Sequence, residues 1–214
     1  VDIVRAAVRR EPIALGPGKA LKLAVRPLRK DLPIYLAAVG PRNLRLAGEI
    51  ADGWLGVFVA PDHLGESLGH VRAGRPSGEL DGFDVVATVP VVVGDDPEQC
   101  AEAVRNYTAL YIGGMGSREQ NFYNAQAGRM GYAEAAAEVQ DHFLAGRYRE
   151  AAAAVPFEFV DETALLGPVD RIADRVRAYA EAGVTTLSVL PLAAGPDERL
   201  SALRTMADIM AGTF

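Results

Sequence analysis

The chain has 214 residues, 50% of them hydrophobic, 23% charged and 7% aromatic, with a formal net charge of −6 and an isoelectric point near 5.1. That is a soluble globular composition with ample material for one sizeable core. An acidic balance without a basic patch argues against a nucleic-acid binder, and no run of about 18 apolar residues reads as a membrane span.

The one cysteine, Cys100, cannot form an intrachain disulfide, which points to a reducing, cytoplasmic setting. The predicted elements start with a helix that aligns Val4, Ala7 and Val8. The chain opens at Val1, without methionine and already inside that pattern, so a truncated start is expected. Gly16 to Arg26 reads as a loop with a short extended piece, LKLAVRP. The charges of Lys19 to Lys30 are interrupted by apolar residues and read as a solvated connector.

Pro33 to Trp54, PIYLAAVGPRNLRLAGEIADGW, is the most informative stretch. Ile34 to Val39 is apolar except for the Tyr35 hydroxyl, which predicts a parallel strand covered on both faces. A Gly-Pro turn and an amphipathic helix follow, with Leu44, Ala47, Ile50 and Ala51 at helical spacing. Gly40 suits a sharp turn and the close approach of a ligand, and Pro41 suits the first helical position. The N–H groups of Arg42 and Asn43 are then expected to be free to hold an anion such as a phosphate.

A second strand is predicted from Trp54 to Val59, with Trp54 in the core and Phe58 near the carboxyl end, where sites of such folds open. A helix from about His63 to Ala73 ends in the turn-rich GRPSGELDG. Phe83 to Val93 is a third apolar run, in which Pro90 predicts a bulge or a strand end. Asp96-Pro97 opens a helix that runs to about Tyr111. A glycine-containing connection carries NFYN, Asn121 to Asn124, read as non-helical. Two Ala-rich helices, a helix starting at Pro168, a strand from Val184 to Leu190 and a closing helix with Leu200, Leu203, Ala207 and Met210 complete the chain.

Such alternation predicts an α/β fold in one domain, 1–214, with a parallel sheet and helical crossovers. Four core strands are half of what a (β/α)8 barrel needs. The open edges of a half-barrel require missing chain, a partner or a second copy.

Several motifs fail. GPGKALKL, from Gly16, has Ile13 where a P-loop needs glycine and Ala20 where it needs Ser or Thr. GGMGSRE, from Gly113, lacks the last glycine of a dinucleotide fingerprint. His63, His70 and His142 have no metal-ligand spacing, so no metal site is assigned. Glu49 and Asp52 fall at a helix C-terminus and are expected to be solvated or paired with Arg45. The NFYN side chains can pack between elements or line a pocket, and Tyr123 and Phe58 are the candidate substrate-binding residues.

PIYLAAVGPRNLRLAGEIADGWL resembles the luciferase-like monooxygenase superfamily, in its branch of coenzyme F420-dependent oxidoreductases. GPGKALKL, LYIGGMGSREQNFYN, GYAEAAAEVQ and AGVTTLSVLP resemble the same branch. The resemblance implies a TIM (β/α)8 barrel of which this chain covers about the last four β/α units, with a helical insertion before the final strand. It implies hydride transfer between F420 and a small organic substrate, with FMN as the alternative cofactor. It also implies that Ala38, Val39, Gly40, Pro41, Arg42 and Asn43 contact the phosphate-bearing side of the cofactor. Family members place the residues nearest the reacting ring on the early strands, which nothing here matches. No catalytic residue is therefore assigned, and the isolated chain is expected to be inactive. The alternatives are a non-catalytic half-barrel that assembles as a homodimer, and another phosphate-binding barrel enzyme.

Overall fold

Five parallel strands form one sheet in the computed structural model, which describes residues 1–13, 23–193 and 195–213. The P-loop-like glycines and most of the predicted loop at Gly16–Lys22 lie outside the described residues. Strand β1 (Tyr35–Ala37) pairs with β2 (Gly53–Val57), β2 with β3 (Asp84–Val93), and β3 with both β4 (Leu165–Gly167) and β5 (Thr186–Pro191). The four predicted strands thus lie side by side in chain order, β1-β2-β3-β5, as consecutive strand–helix units do in a parallel barrel wall. Strand β4 was not anticipated, because its three residues are too short to register as a periodic run.

Helices α2 (Pro41–Ile50), α3 (Leu64–Gly74), α9 (Val169–Glu181) and α10 (Pro196–Thr213) cover one face of the sheet, while α1 (Asp2–Arg9) precedes β1. Their apolar stripes meet Trp54, Val85, Ala87, Val89 and Val91 in one core. Between β3 and β5 comes the helical excursion. It comprises α4 (Pro97–Ala109), a π-helical turn (Leu110–Gly114), α5 (Phe122–Ala127), a second π-helical turn (Gly128–Tyr132), α6 (Ala133–Leu144), α7 (Tyr148–Ala153) and α8 (Phe157–Thr163). It builds a second core around Phe58, Val104, Ile112, Val139 and Phe159. The predicted cap of α4 is present: Asp96 accepts from the Glu98 N–H at 2.9 Å. Among the described residues, no helix is long and apolar enough to cross a membrane.

Four expectations are corrected. Strand β1 is not covered on both faces: among the described residues it is an edge strand that pairs with β2 alone, with Tyr35 and Ala37 exposed. Pro90 neither bulges nor ends β3. Val91 accepts from the Leu192 N–H on the β5 side, so Pro90, one residue earlier, faces the opposite edge. On that edge β2 ends at the Val57–Thr88 pair and β4 starts at the Val91–Leu165 pair, and the missing N–H falls between them. The NFYN segment is not a non-helical connection, since Asn121 caps α5 by accepting from the Tyr123 and Asn124 N–H groups. Asp52 pairs with Arg5 at 3.2 Å, not Arg45, and accepts from the Ile34 N–H at 2.8 Å.

Candidate functional site

At the carboxyl ends of β1 and β2 two short turns face each other, Ala38-Val39-Gly40-Pro41 and Phe58-Val59-Ala60-Pro61. Each carries proline into the first position of a helical segment, α2 in one case and the 3-10 turn Pro61–His63 before α3 in the other. Between them lies a cleft open to solvent at its mouth. Ala38, Val39, Phe58, Val59 and Ala60 form its floor, and Gln126, Arg129 and Met130 of the excursion form its roof. His63, Glu66 and Ser67 stand along one wall.

The floor is held from below and from above. Trp54 Nε1 donates to the Ala38 carbonyl at 2.8 Å, and Tyr179 Oη donates to the Val59 carbonyl at 2.7 Å. Burial pushes the Tyr179 phenol well above its usual range, so it remains a donor. From the roof, Arg129 donates to the Val39 carbonyl at 3.2 Å, and Gln126 Nε2 donates to the Val57 and Phe58 carbonyls at 3.0 and 2.9 Å. Gly131, at φ +98, takes a left-handed conformation inside the second π-helical turn, and the chain kinks there between α5 and α6.

Gly40 has φ −94, which any residue adopts, so the sharp turn does not require glycine. A Cβ on Gly40 would meet nothing within 4 Å, so the space beside it is open to a ligand. The Asn43 N–H is not free, because it donates to the Gly40 carbonyl at 3.0 Å. The Arg42 N–H has no acceptor among the described residues, and the first turn of α2 carries no acidic side chain to neutralise the helix dipole. Arg42 and Asn43 side chains are exposed, and Ala38 is buried on the cleft floor.

Phe58 lines the cleft yet is only 2% exposed, and its ring is turned into the second core. That ring packs against Tyr107, Tyr111, Tyr123 and Phe159, with centroids 5.5 to 6.0 Å away. Tyr123 therefore touches Phe58 but stands behind the cleft wall, and burial raises its phenol pKa. The two amides of NFYN tie the excursion together: Asn121 donates to the Tyr111 and Ile112 carbonyls, and Asn124 to Ile112 and Ala136.

Behind His63 a small polar group closes the wall. His63 Nε2 lies 3.7 Å from Glu162 Oε2, and Tyr132 Oη donates to Glu162 Oε1 at 2.9 Å. Burial and then that carboxylate drive the Tyr132 phenol pKa upward. Gln126 and Arg129 were missed from sequence because their contacts with the strand ends span 68 to 90 residues and go to backbone carbonyls. The one legible signal was the repetition of Val-small-Pro at 39–41 and 59–61.

A parallel sheet with a cleft at its carboxyl edge, walled by two Pro-initiated helical starts, defines an α/β wall of barrel type. The chain belongs to the luciferase-like monooxygenase family, whose model matches residues 1–186. It is 40% identical over 193 residues to a Mycobacterium tuberculosis protein whose name assigns it provisionally to the coenzyme F420-dependent oxidoreductases, covering 88% of this chain and 55% of that protein. It is 27% identical over 182 residues to the 5,10-methylenetetrahydromethanopterin reductase of Archaeoglobus fulgidus, covering 84% and 53%. Among solved structures, the coenzyme F420-dependent tetrahydromethanopterin reductase of Methanopyrus kandleri superposes with a TM-score of 0.76 at 23% identity, over 96% of this chain and 59% of that one. The likeness establishes the luciferase-like TIM-barrel fold, and the chain spans about half the length of the curated relatives it matches.

Proposed function

We propose that this chain carries the tail-binding side of a deazaflavin site in an F420-dependent oxidoreductase that reduces or dehydrogenates a small organic substrate. The observation that carries this reading is the open space at Gly40 beside the unneutralised start of α2. A helix start with an unused N–H and no acidic neighbour suits a phosphate group. A relative 40% identical over 193 residues is named provisionally as a coenzyme F420-dependent oxidoreductase, which supports the same choice of cofactor.

The donor set fits such a group. The Arg42 N–H would face the tail phosphate, with Val39, Gly40 and Pro41 forming the contact surface. Arg129 adds a guanidinium at the same turn, where its bond to Val39 fixes it across the cleft. The apolar floor of Ala38, Val59 and Ala60 excludes water from the inner end of the cleft. When bound, the deazaflavin supplies two-electron hydride chemistry, and the protein contributes orientation and electrostatics.

Fluorescence titration of the purified protein with F420 and, separately, with FMN tests this. Saturable binding of F420, weakened by added inorganic phosphate, is the expected result. Tight binding of FMN without binding of F420 overturns it.

A further inference from the structure

We propose that Gln126 is a positioning residue for the cleft, fixing the turn at Phe58 so that the Ala60 N–H is presented to an acceptor oxygen of the bound ligand. Phe58 has φ +54, a left-handed conformation that a bulky aromatic residue adopts only when its surroundings impose it. While four rings hold the side chain, one amide holds the backbone. Gln126 Nε2 donates to two successive carbonyls, those of Val57 and Phe58, at 3.0 and 2.9 Å. Both can converge on a single nitrogen only because the backbone curls at Phe58. Strand β1 pairs with β2 only as far as Leu55, so β1 does not reach these carbonyls.

The curl sets the direction of the next peptide. The Val59 carbonyl is turned to Tyr179 Oη in the helix-side core. A trans peptide is planar, so the Ala60 N–H of that unit points the opposite way. Ala60 is 2% exposed and lines the cleft, and its N–H meets no acceptor among the described residues. Buried backbone N–H groups are almost always paired, so this one is a donor kept for a ligand.

The inference rests on the cofactor reading above, and its test separates the two. Gln126→Glu keeps the shape of the side chain but, when ionised, offers no donor to the two carbonyls. The expected result at about pH 7.5 is F420 binding weakened on the order of tenfold, together with a lowered melting temperature from the two carbonyls left without a donor. Protonation of the introduced carboxyl restores a donor, so the ratio of variant to wild-type affinity should recover towards about pH 5. His63, Glu66 and Arg129 share the cleft and Glu162 lies behind it, which is why wild type is titrated alongside at each pH. A purely stapling role would lower the melting temperature and leave affinity and its pH recovery unchanged.

Unchanged affinity in Gln126→Glu, with wild type binding F420, overturns the inference alone. If wild type binds no F420, the cofactor reading fails and ligand-free NMR decides the inference. Loss of the positive φ at Phe58 in the variant supports it, and retention overturns it.

Discussion

Trp54, the only tryptophan in the chain, donates its indole N–H at 2.8 Å to the carbonyl of Ala38, on the neighbouring strand end. One buried side chain on β2 thereby sets the height of the β1 turn that leads into Gly40. Replacing it with phenylalanine keeps most of the apolar volume and leaves the Ala38 carbonyl without its donor. Trp54→Phe is expected to cost about 1–3 kcal/mol in equilibrium denaturation. It should also weaken ligand binding at the 38–41 turn, measurable in the same fluorescence titration.

A glycine pair separates helix propensity from packing. At Gly48, in α2, an added Cβ would sit 2.1 Å from the Val71 carbonyl oxygen of α3, a backbone atom that cannot step aside. At Gly65, in α3, it would meet nothing within 4 Å. Gly65→Ala is expected to stabilise by up to about 1 kcal/mol through backbone entropy. Gly48→Ala gains the same propensity yet is expected to lose about 1–3 kcal/mol by forcing the helices apart. Urea denaturation of the two variants in parallel checks the opposite signs.

Arg129 is an exposed cation that reaches 90 residues back to the Val39 carbonyl. Arg129→Gln is expected to weaken F420 binding about two- to fivefold, as suits a screened, solvent-facing charge. The dependence of affinity on salt should flatten as well. Binding measured between about 20 and 300 mM salt tests both parts.

The Tyr179 phenol is raised above its ordinary value by burial, so its proton is held more tightly in the folded chain. Below the unfolded value of about 10 both states keep the proton, and its contribution to stability is full. Above that pH the unfolded chain releases the proton first, so stability falls as pH rises. Tyr107 and Tyr132 shift in the same direction and steepen the loss. Tyr179→Phe should lower stability at neutral pH, because Val59 loses its donor. It should also reduce the alkaline slope by about 1.36 kcal/mol per pH unit, followed by denaturation between about pH 8 and 11.

Long apolar runs and helix starts were readable directly: β2, β3, β5 and the Asp96 cap follow from local pattern alone. The failures share a cause, since each depends on a partner remote in sequence. Whether Ile34 to Val39 is covered on both faces depends on what flanks β1, not on its own composition. Pro90 looked like a breaker until the neighbouring strands were seen to stop short of it on the same edge. Asn121 resembles a loop residue, but its amide and carbonyl serve a helix start and a π-helical end together. At the site, the strand–Gly-Pro–helix unit was legible, whereas the roof was not. Glutamine and arginine that bond to backbone carbonyls leave no mark in a local pattern.

The seam at Pro90 has a consequence for how this scaffold can vary. The excursion returns to the sheet through three residues of β4, hung on the last turn of β3 beyond the proline. The β1–β2 and β2–β3 pairings stop before that attachment, and the β3–β5 pairing overlaps it at Val91 alone, on the opposite edge. Insertions and deletions between α4 and α8 can therefore remodel the roof of the cleft while every strand register beneath it stays in place. The chain separates a sheet of set register from a variable ceiling, the two tied where Gln126 meets the Phe58 turn, and one residue lacking a donor marks the joint.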